Sequence, residues 1–425
     1  MNIYKYPERN EWSELTQRPA IEKMALEDTV KDILKEVRSS GDEALIRFTE
    51  QFDKAKPDQI FVSDKEIKTV ETKVSEVLKA AIDMARSNIE KFHAVQREAI
   101  TVVETTPGVQ CWRKSVAIEK VGLYIPGGTA PLFSTILMLA IPAKLAGCRE
   151  IVLCTPPDKS GNIHPAILYT ANIVGITKIF KVGGAQAIAA MAYGTETVPR
   201  VNKIFGPGNQ FVTKAKEIVQ QRGVAIDMPA GPSEVLVIAD VTCNPKFVAA
   251  DLLSQSEHGT DSQVILLSDD LTVLEQTMAE VKKQLQKLPR KAIATEALLY
   301  GRAILLNSME DCIDFSNLYA PEHLIIAAEK ADAYTEQVIN AGSVFLGNYS
   351  CESAGDYASG TNHTLPTNGF AKSYSGVSLD SFVKKITFQK LSKEGLENIG
   401  PAIEIMAEAE ALFAHKNAVS IRLEK

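Results

Sequence analysis

Between residues 20 and 97 apolar side chains recur at steps of three and four, the period of helices with one buried face. Leu26, Val30, Ile33, Leu34 and Val37 form the first row, Ser39-Ser40-Gly41 ends it, and Asp42 is placed to cap a second, short helix. After Arg97 the period shortens. Residues 101–103 and 116–118 read as paired strands leading into Gly122-Leu123-Tyr124-Ile125-Pro126-Gly127-Gly128. From there to about Ala230, β runs at 151–154, 178–182, 203–205 and 224–226 alternate with helical segments at 133–146, 164–175, 184–193 and 209–221. That alternation predicts a parallel sheet with crossover helices. The turn cluster Pro229-Ala230-Gly231-Pro232-Ser233 marks a junction. A second series follows, with strands at 235–239, 264–267, 303–306, 323–327 and 343–346 and helices at 246–256, 271–287, 309–318 and 331–340. Residues 347–378 are rich in Gly, Ser, Thr and Asn without periodicity, which in a compact chain is the mark of a functional loop or of disorder. A strand at 385–389 and a helix at 393–413 close the chain. The fold class is α/β, doubly wound, with two sheets.

Composition narrows the function. The 425 residues are 45% hydrophobic and carry a net charge of −7 without basic runs, which argues against a nucleic-acid or anionic-membrane partner. The longest apolar stretch, 130–143, is interrupted by two prolines and by Ser134 and Thr135, and is too short to span a bilayer. Residues 1–9 lack the apolar core of a signal peptide. Cys111, Cys148, Cys154, Cys243, Cys312 and Cys351 form no C-x-x-C pair and read as reduced thiols. A cytoplasmic protein is expected.

The histidines carry the candidate chemistry. Gln255 and His258 are three apart at a helix end and share a face, suiting either joint ligation of an ion or a plain polar helix end. Glu322 and His323 stand where a turn enters an apolar strand. Adjacent strand residues point to opposite faces, so both reach one site only if they lie in the turn itself. Together they would form a carboxylate–imidazole pair for acid–base work. Asp356 and His363 lie on the irregular segment, within 351–357 and 360–363, suiting either a small ligand or a solvated loop, and Glu408, Glu410 and His415 lie near the C-terminus, where a frayed helical tail is the plain reading. Were they to converge, Gln255, His258, Asp356 and His415 would offer two imidazoles and two oxygens, a set for Zn²⁺ or Mn²⁺ in an open site. No G-x-G-x-x-G follows any strand. Three other glycine turns, at 126–128, 182–186 and 205–209, each follow a β run and open a helix, the arrangement that holds an anionic or dinucleotide ligand at a sheet's carboxyl edge.

With those residues assembled, the chain resembles the histidinol dehydrogenase family over essentially its whole length. The resemblance runs through Val121-Gly122-Leu123-Tyr124-Ile125-Pro126-Gly127-Gly128, Val182-Gly183-Gly184-Ala185-Gln186, Phe205-Gly206-Pro207-Gly208-Asn209 and Ala230-Gly231-Pro232-Ser233-Glu234. It continues through 251–258, Ala320-Pro321-Glu322-His323-Leu324, Ser353-Ala354-Gly355-Asp356-Tyr357, Gly360-Thr361-Asn362-His363 and 407–415. It implies oxidation of L-histidinol to L-histidine through L-histidinal, with two NAD⁺, in the last steps of histidine biosynthesis. By similarity Gln255, His258, Asp356 and His415 bind Zn²⁺, His323 is the general base, and Glu322 with His323 activates water for the second oxidation. Substrate contacts carry over to Ser233, Gln255, His258, His323, Asp356, His363, Glu410 and His415, and NAD contacts to Tyr124, Gln186 and Asn209. The implied fold has two Rossmann-like units, one discontinuous (21–129 with 233–377) and one inserted (130–232), beside an N-terminal arm (1–20). The tail (378–425) would complete the partner's site in an intertwined homodimer. A rival route to an acid, through a Cys nucleophile, would call on Cys111 or Cys148, but neither has a neighbouring His or helix start in sequence to activate it.

Overall fold

The computed structural model describes residues 1–18, 24–56, 58–127 and 131–424. Its strands are β1 (Asn2–Lys5), β2 (Val102–Thr106), β3 (Val109–Ala117), β4 (Lys120–Tyr124), β5 (Glu150–Thr155), β6 (Lys178–Lys181), β7 (Lys203–Phe205) and β8 (Ala225–Ile226). The second half adds β9 (Glu234–Ala239), β10 (Gln263–Ser268), β11 (Arg302–Leu305), β12 (His323–Ala327), β13 (Ser343–Leu346) and β14 (Val383–Leu391). Two parallel sheets form, in the orders β6-β5-β4-β7-β8 and β1-β11-β10-β9-β12-β13. In both, the chain runs outward from a central strand and then returns to its other side. The order therefore reverses between β4 and β7 in one sheet and between β9 and β12 in the other, the Rossmann-like arrangement. Every residue of β9, β10 and β12 is buried, as strands covered by helices on both faces require. The third sheet is antiparallel, β14-β3-β2.

Strand and helix positions in the two β/α series follow the sequence pattern closely, and the differences have local causes. The first helix continues across Gly41, whose φ of 51° kinks it, as one element Met24–Phe48. Asp42 does not cap: its carboxylate accepts from Thr197, while its own N–H donates to Glu196 at 2.8 Å. Residues 102–103 pair with Cys111 and Trp112 in a hairpin, and 116–117 pair with β14 instead. The sequence pattern missed β1 and a helix at Lys291–Tyr300, and ran two C-terminal helices, Lys393–Ala409 and Phe413–Leu423, into one; Ala411, at φ 57°, breaks them. Gly128 of the first glycine turn and Ala130 lie outside the described residues.

Sheet membership also departs from the division that joins 21–129 to 233–377. Val30, Ile33, Leu34 and Val37 pack with Val152, Ile188 and Ile218 on one face of the five-stranded sheet, and Ile82 and Ile89 pack with Leu123, Ile136 and Leu139 on the other. β4 is that sheet's central strand, so residues 120–124 belong with the segment that follows them. A doubly covered strand is an apolar run whichever sheet it joins, so its sequence does not name its neighbours.

Candidate active site

The six-stranded sheet brings the chemistry to its amino edge. The turn through Ala320, at φ 56°, ends the helix Met309–Tyr319 and delivers Glu322 just ahead of β12 and His323 as its first residue. Only Glu322 lies in the turn, contrary to the expectation that both would, and this is enough to bring its Oε2 to 3.6 Å from Nδ1 of His323. Both are held by Glu234, the first residue of the neighbouring β9. The Glu234 N–H donates to Glu322 Oε2 at 2.8 Å, and His323 Nδ1 lies 3.1 Å from the Glu234 carbonyl oxygen. A carbonyl can only accept, so Nδ1 donates its proton there, and Nε2 is the ring nitrogen left facing Asp356. Glu234 is itself fixed by Arg18, whose Nε and Nη2 donate to its two carboxylate oxygens at 2.6 and 2.9 Å.

Around His323 stand the other groups, Asp356 on the Nε2 side and Gln255 on the Nδ1 side. Asp356 Oδ1 is 3.5 Å from Nε2, on the short helix Glu352–Tyr357 that interrupts the irregular segment. Gln255, in the last turn of the helix Pro245–Ser256, sets its Nε2 3.4 Å from Glu322 Oε2. Ligand atoms of His258, Glu352 and Asp356 all lie within 4.8 Å of one another. Gln255 Oε1, Asp356 Oδ1, His323 Nε2 and Glu352 Oε2 are buried without hydrogen-bond partners. His363 closes the cluster, its Nδ1 2.9 Å from the Asp356 carbonyl oxygen and its Nε2 3.0 Å from Thr135 Oγ1. Thr135 lies in the first turn of the helix Phe133–Ala146 of the five-stranded half, so the site lies where the two sheets meet.

Burial and charge divide the acids by role. Burial pushes the Glu322 and Glu352 carboxyls up to about 8. Burial would also raise Asp356, but the adjoining His323 holds it below its usual range. His323 is driven down by burial, yet the carboxylates of Glu322, Glu352 and Asp356 outweigh that and raise it. Asp356 is thus the acid kept as an anion. Its unpartnered oxygen, with Gln255 Oε1 and the exposed His258 imidazole, suits a divalent cation with nitrogen and oxygen ligands.

A second site opens at the carboxyl edge of the five-stranded sheet, beside the reversal between β4 and β7. A cavity of about 1110 Å³ is lined by Tyr124, Gly127, Thr155, Gln186 and Asn209. The Gly184 N–H donates to the Tyr124 hydroxyl at 3.0 Å. Asn209 caps the helix Gln210–Gln221 through its Oδ1. Gly206 has a φ of 124°, and a Cβ there would strike the Tyr124 carbonyl oxygen, so only glycine lets the two turns close up. Both polar atoms of the Gln186 amide are buried without partners. A cleft of this shape with unsatisfied polar groups fits a dinucleotide.

Not every predicted residue joins these sites within one chain. Ser233 lies directly before β9, its carbonyl accepting from Gln263 N–H. Glu410 and His415 are exposed, at and beyond the end of the helix Lys393–Ala409, and His415 is not in the cluster with His258, Glu352 and Asp356. Glu352 carries no signal in its own loop sequence; only the helical turn that sets it four residues before Asp356, on the same face, identifies it. Asp53, which lines the dinucleotide cavity, had no sequence signal at all. Cys111 lies mid-strand opposite Gln389, and Cys148 is buried with its thiol raised to about 11, so neither is set up as a nucleophile.

Known proteins match this chain in sequence, and a solved structure matches it in fold. A family model for histidinol dehydrogenase matches residues 16–423. A histidinol dehydrogenase of Bacteroides thetaiotaomicron is 60% identical over 423 residues, covering 100% of this chain and 99% of its own. One from Bacteroides fragilis is 59% identical over 425 residues, with coverage of 100% and 99%. The crystal structure of histidinol dehydrogenase from Elizabethkingia anophelis superposes with a TM-score of 0.98 at 63% identity, covering 100% of this chain and 98% of that one.

Proposed function

This chain belongs to the histidinol dehydrogenase family and is an oxidoreductase enzyme, and from that premise we propose that it converts L-histidinol to L-histidine through L-histidinal, reducing two NAD⁺. The observation that carries this reading is the buried His323, with Nδ1 engaged by a carbonyl and Nε2 turned toward Asp356.

In the first oxidation the neutral form of His323 takes the proton of the substrate hydroxyl at Nε2, while hydride leaves the carbon that bears that hydroxyl for NAD⁺. In the second, Glu322 and His323 take a proton from water as it adds to the aldehyde. The resulting gem-diol then loses hydride and a proton to give the acid. Raised by burial, the Glu322 carboxyl can both hold and release a proton near neutrality. NAD⁺, held by Tyr124, Gln186 and Asn209, supplies the hydride acceptor. Gln255, His258, Asp356 and a partner chain's copy of His415 would hold zinc, which supplies the positive charge that anchors the imidazole and amine of the substrate. His363 and Ser233 of this chain would make further substrate contacts.

The exposed position of His415 and Glu410 supports a homodimer with shared sites. Around them Ile405, Met406, Leu412, Phe413 and Ile421 are exposed too, a cluster of large apolar side chains that a second subunit would cover. All six cysteines are free, which suits the cytoplasm, and no helix among the described residues is long and apolar enough to cross a membrane. Dialysis against a chelator should remove the metal and abolish NADH formation from L-histidinol, and Zn²⁺ should restore it. Full turnover by demonstrably metal-free protein would overturn the zinc assignment.

A further inference from the structure

We propose that Asp53 binds the vicinal hydroxyls of the adenosine ribose and thereby selects NAD⁺ over its 2′-phosphorylated analogue. This rests on the reading of the 1110 Å³ cavity as the dinucleotide site.

In the usual Rossmann site an acid about 20 residues past the glycine turn, at the end of the second strand, receives these hydroxyls. The corresponding strand here is β5, and it runs out into Thr155-Pro156-Pro157 with no acid at its end. Asp158, the next candidate, turns back on its own loop, accepting from the N–H groups of Ser160 and Asn162 at 2.8 and 3.0 Å. Asp53 fills the gap from outside the sheet. It ends the π-helical turn Thr49–Asp53, ahead of Lys54 at φ 55°, and lines the same cavity as Tyr124 and Gln186. Its Oδ2 is buried and has no hydrogen-bond partner. A buried carboxylate oxygen in that state needs a donor, and two adjacent hydroxyls offer one to each oxygen. A phosphate on the 2′ oxygen would remove one donor and set its negative charge against the carboxylate.

The neighbouring Phe52 fits the same half of the ligand. Its ring is 47% exposed, lines the cavity, and stacks on Phe48 with centroids 5.5 Å apart. That leaves a flat face for a purine. The orientation follows from the two faces of the sheet. The nicotinamide end must approach His363 and His323, and the helix that reaches His363 through Thr135 packs on the face opposite the helix Met24–Phe48 that leads to Asp53. The adenosine end therefore falls on the Asp53 side.

Calorimetric titration of the purified enzyme with NAD⁺, NADP⁺ and the 2′-deoxyadenosine analogue of NAD⁺ tests this without reference to turnover. Unaltered enzyme should bind NAD⁺ about 30-fold or more tighter than NADP⁺, and should lose about tenfold with the 2′-deoxy analogue. Asp53→Asn, which is isosteric, should weaken NAD⁺ about tenfold while leaving NADP⁺ unchanged or improved. Equal binding of NAD⁺ and NADP⁺ by unaltered enzyme, as when Lys73 and Lys159 on the cavity rim take up the 2′-phosphate, would overturn the proposal. So would an unchanged preference in Asp53→Asn, or undiminished binding of the analogue. Gln186→Ala separates the two levels. If it loses NAD⁺ while Asp53→Asn does not, the Asp53 assignment alone falls. If unaltered enzyme binds no dinucleotide, the reading of the cavity falls and takes Asp53 with it.

Discussion

Nδ1 of His323 lies 3.1 Å from the backbone carbonyl oxygen of Glu234, a contact between neighbouring parallel strands that leaves Nε2 as the ring nitrogen facing Asp356. The strand pairing sets the ring's height, and Arg18 fixes the Glu234 side chain. The arrangement predicts that His323→Ala lowers the rate of both oxidations by about 10²-fold or more. Glu322→Gln should slow oxidation of added L-histidinal far more than oxidation of L-histidinol to the aldehyde. Single-turnover NADH absorbance for each half-reaction separates them, and equal slowing would refute the division of labour.

The exposed tail predicts complementation between defective chains. His258→Ala and His415→Ala chains, each inactive alone, should regain activity when assembled together, because one of the two sites in the mixed dimer has every ligand. About half the unaltered rate per verified heterodimer is expected. No recovery would mean that each site is built from one chain.

Asp53 predicts a trade between stability and binding. Burial raises its carboxyl from 3.8 to about 6. The folded chain thus keeps a proton that the unfolded chain has released between about pH 4 and pH 6. Stability falls as pH rises through that window, and the cost is complete above it. At full strength a displacement of that size would cost about 3 kcal/mol; since Asp53 is only part-buried, screening by solvent brings it to about 1 kcal/mol. Asp53→Asn should therefore gain about 1 kcal/mol at pH 8 and nothing near pH 3.5, measured by urea unfolding of the enzyme without dinucleotide. A gain equal at both values would contradict the assignment.

What the sequence revealed and what it hid have a common physical basis. Strands such as 235–239 and 264–267 were legible because burial on both faces leaves a short apolar run bounded by turns. Gln255 and His258 were legible as a pair because one helical turn sets their spacing. The pairing of 116–117 with β14 and of β1 with β11 was not legible, since strand partners far apart in sequence leave no local trace. Glu352 and Asp53 stayed hidden for a related reason. Each looks like a surface acid in its own segment and acquires its character only when another part of the chain buries it. The position of His415 was the opposite case: resemblance named it, while nothing in its local pattern distinguishes a ligand from a solvated helix.

The stoichiometry of the complete reaction tests the central claim most directly. Purified protein with limiting L-histidinol, excess NAD⁺ and Zn²⁺ should form two NADH for each L-histidine, followed at 340 nm and by quantifying the amino acid. One NADH per substrate with free aldehyde released, or no reduction at all, would contradict a single site that carries out both oxidations.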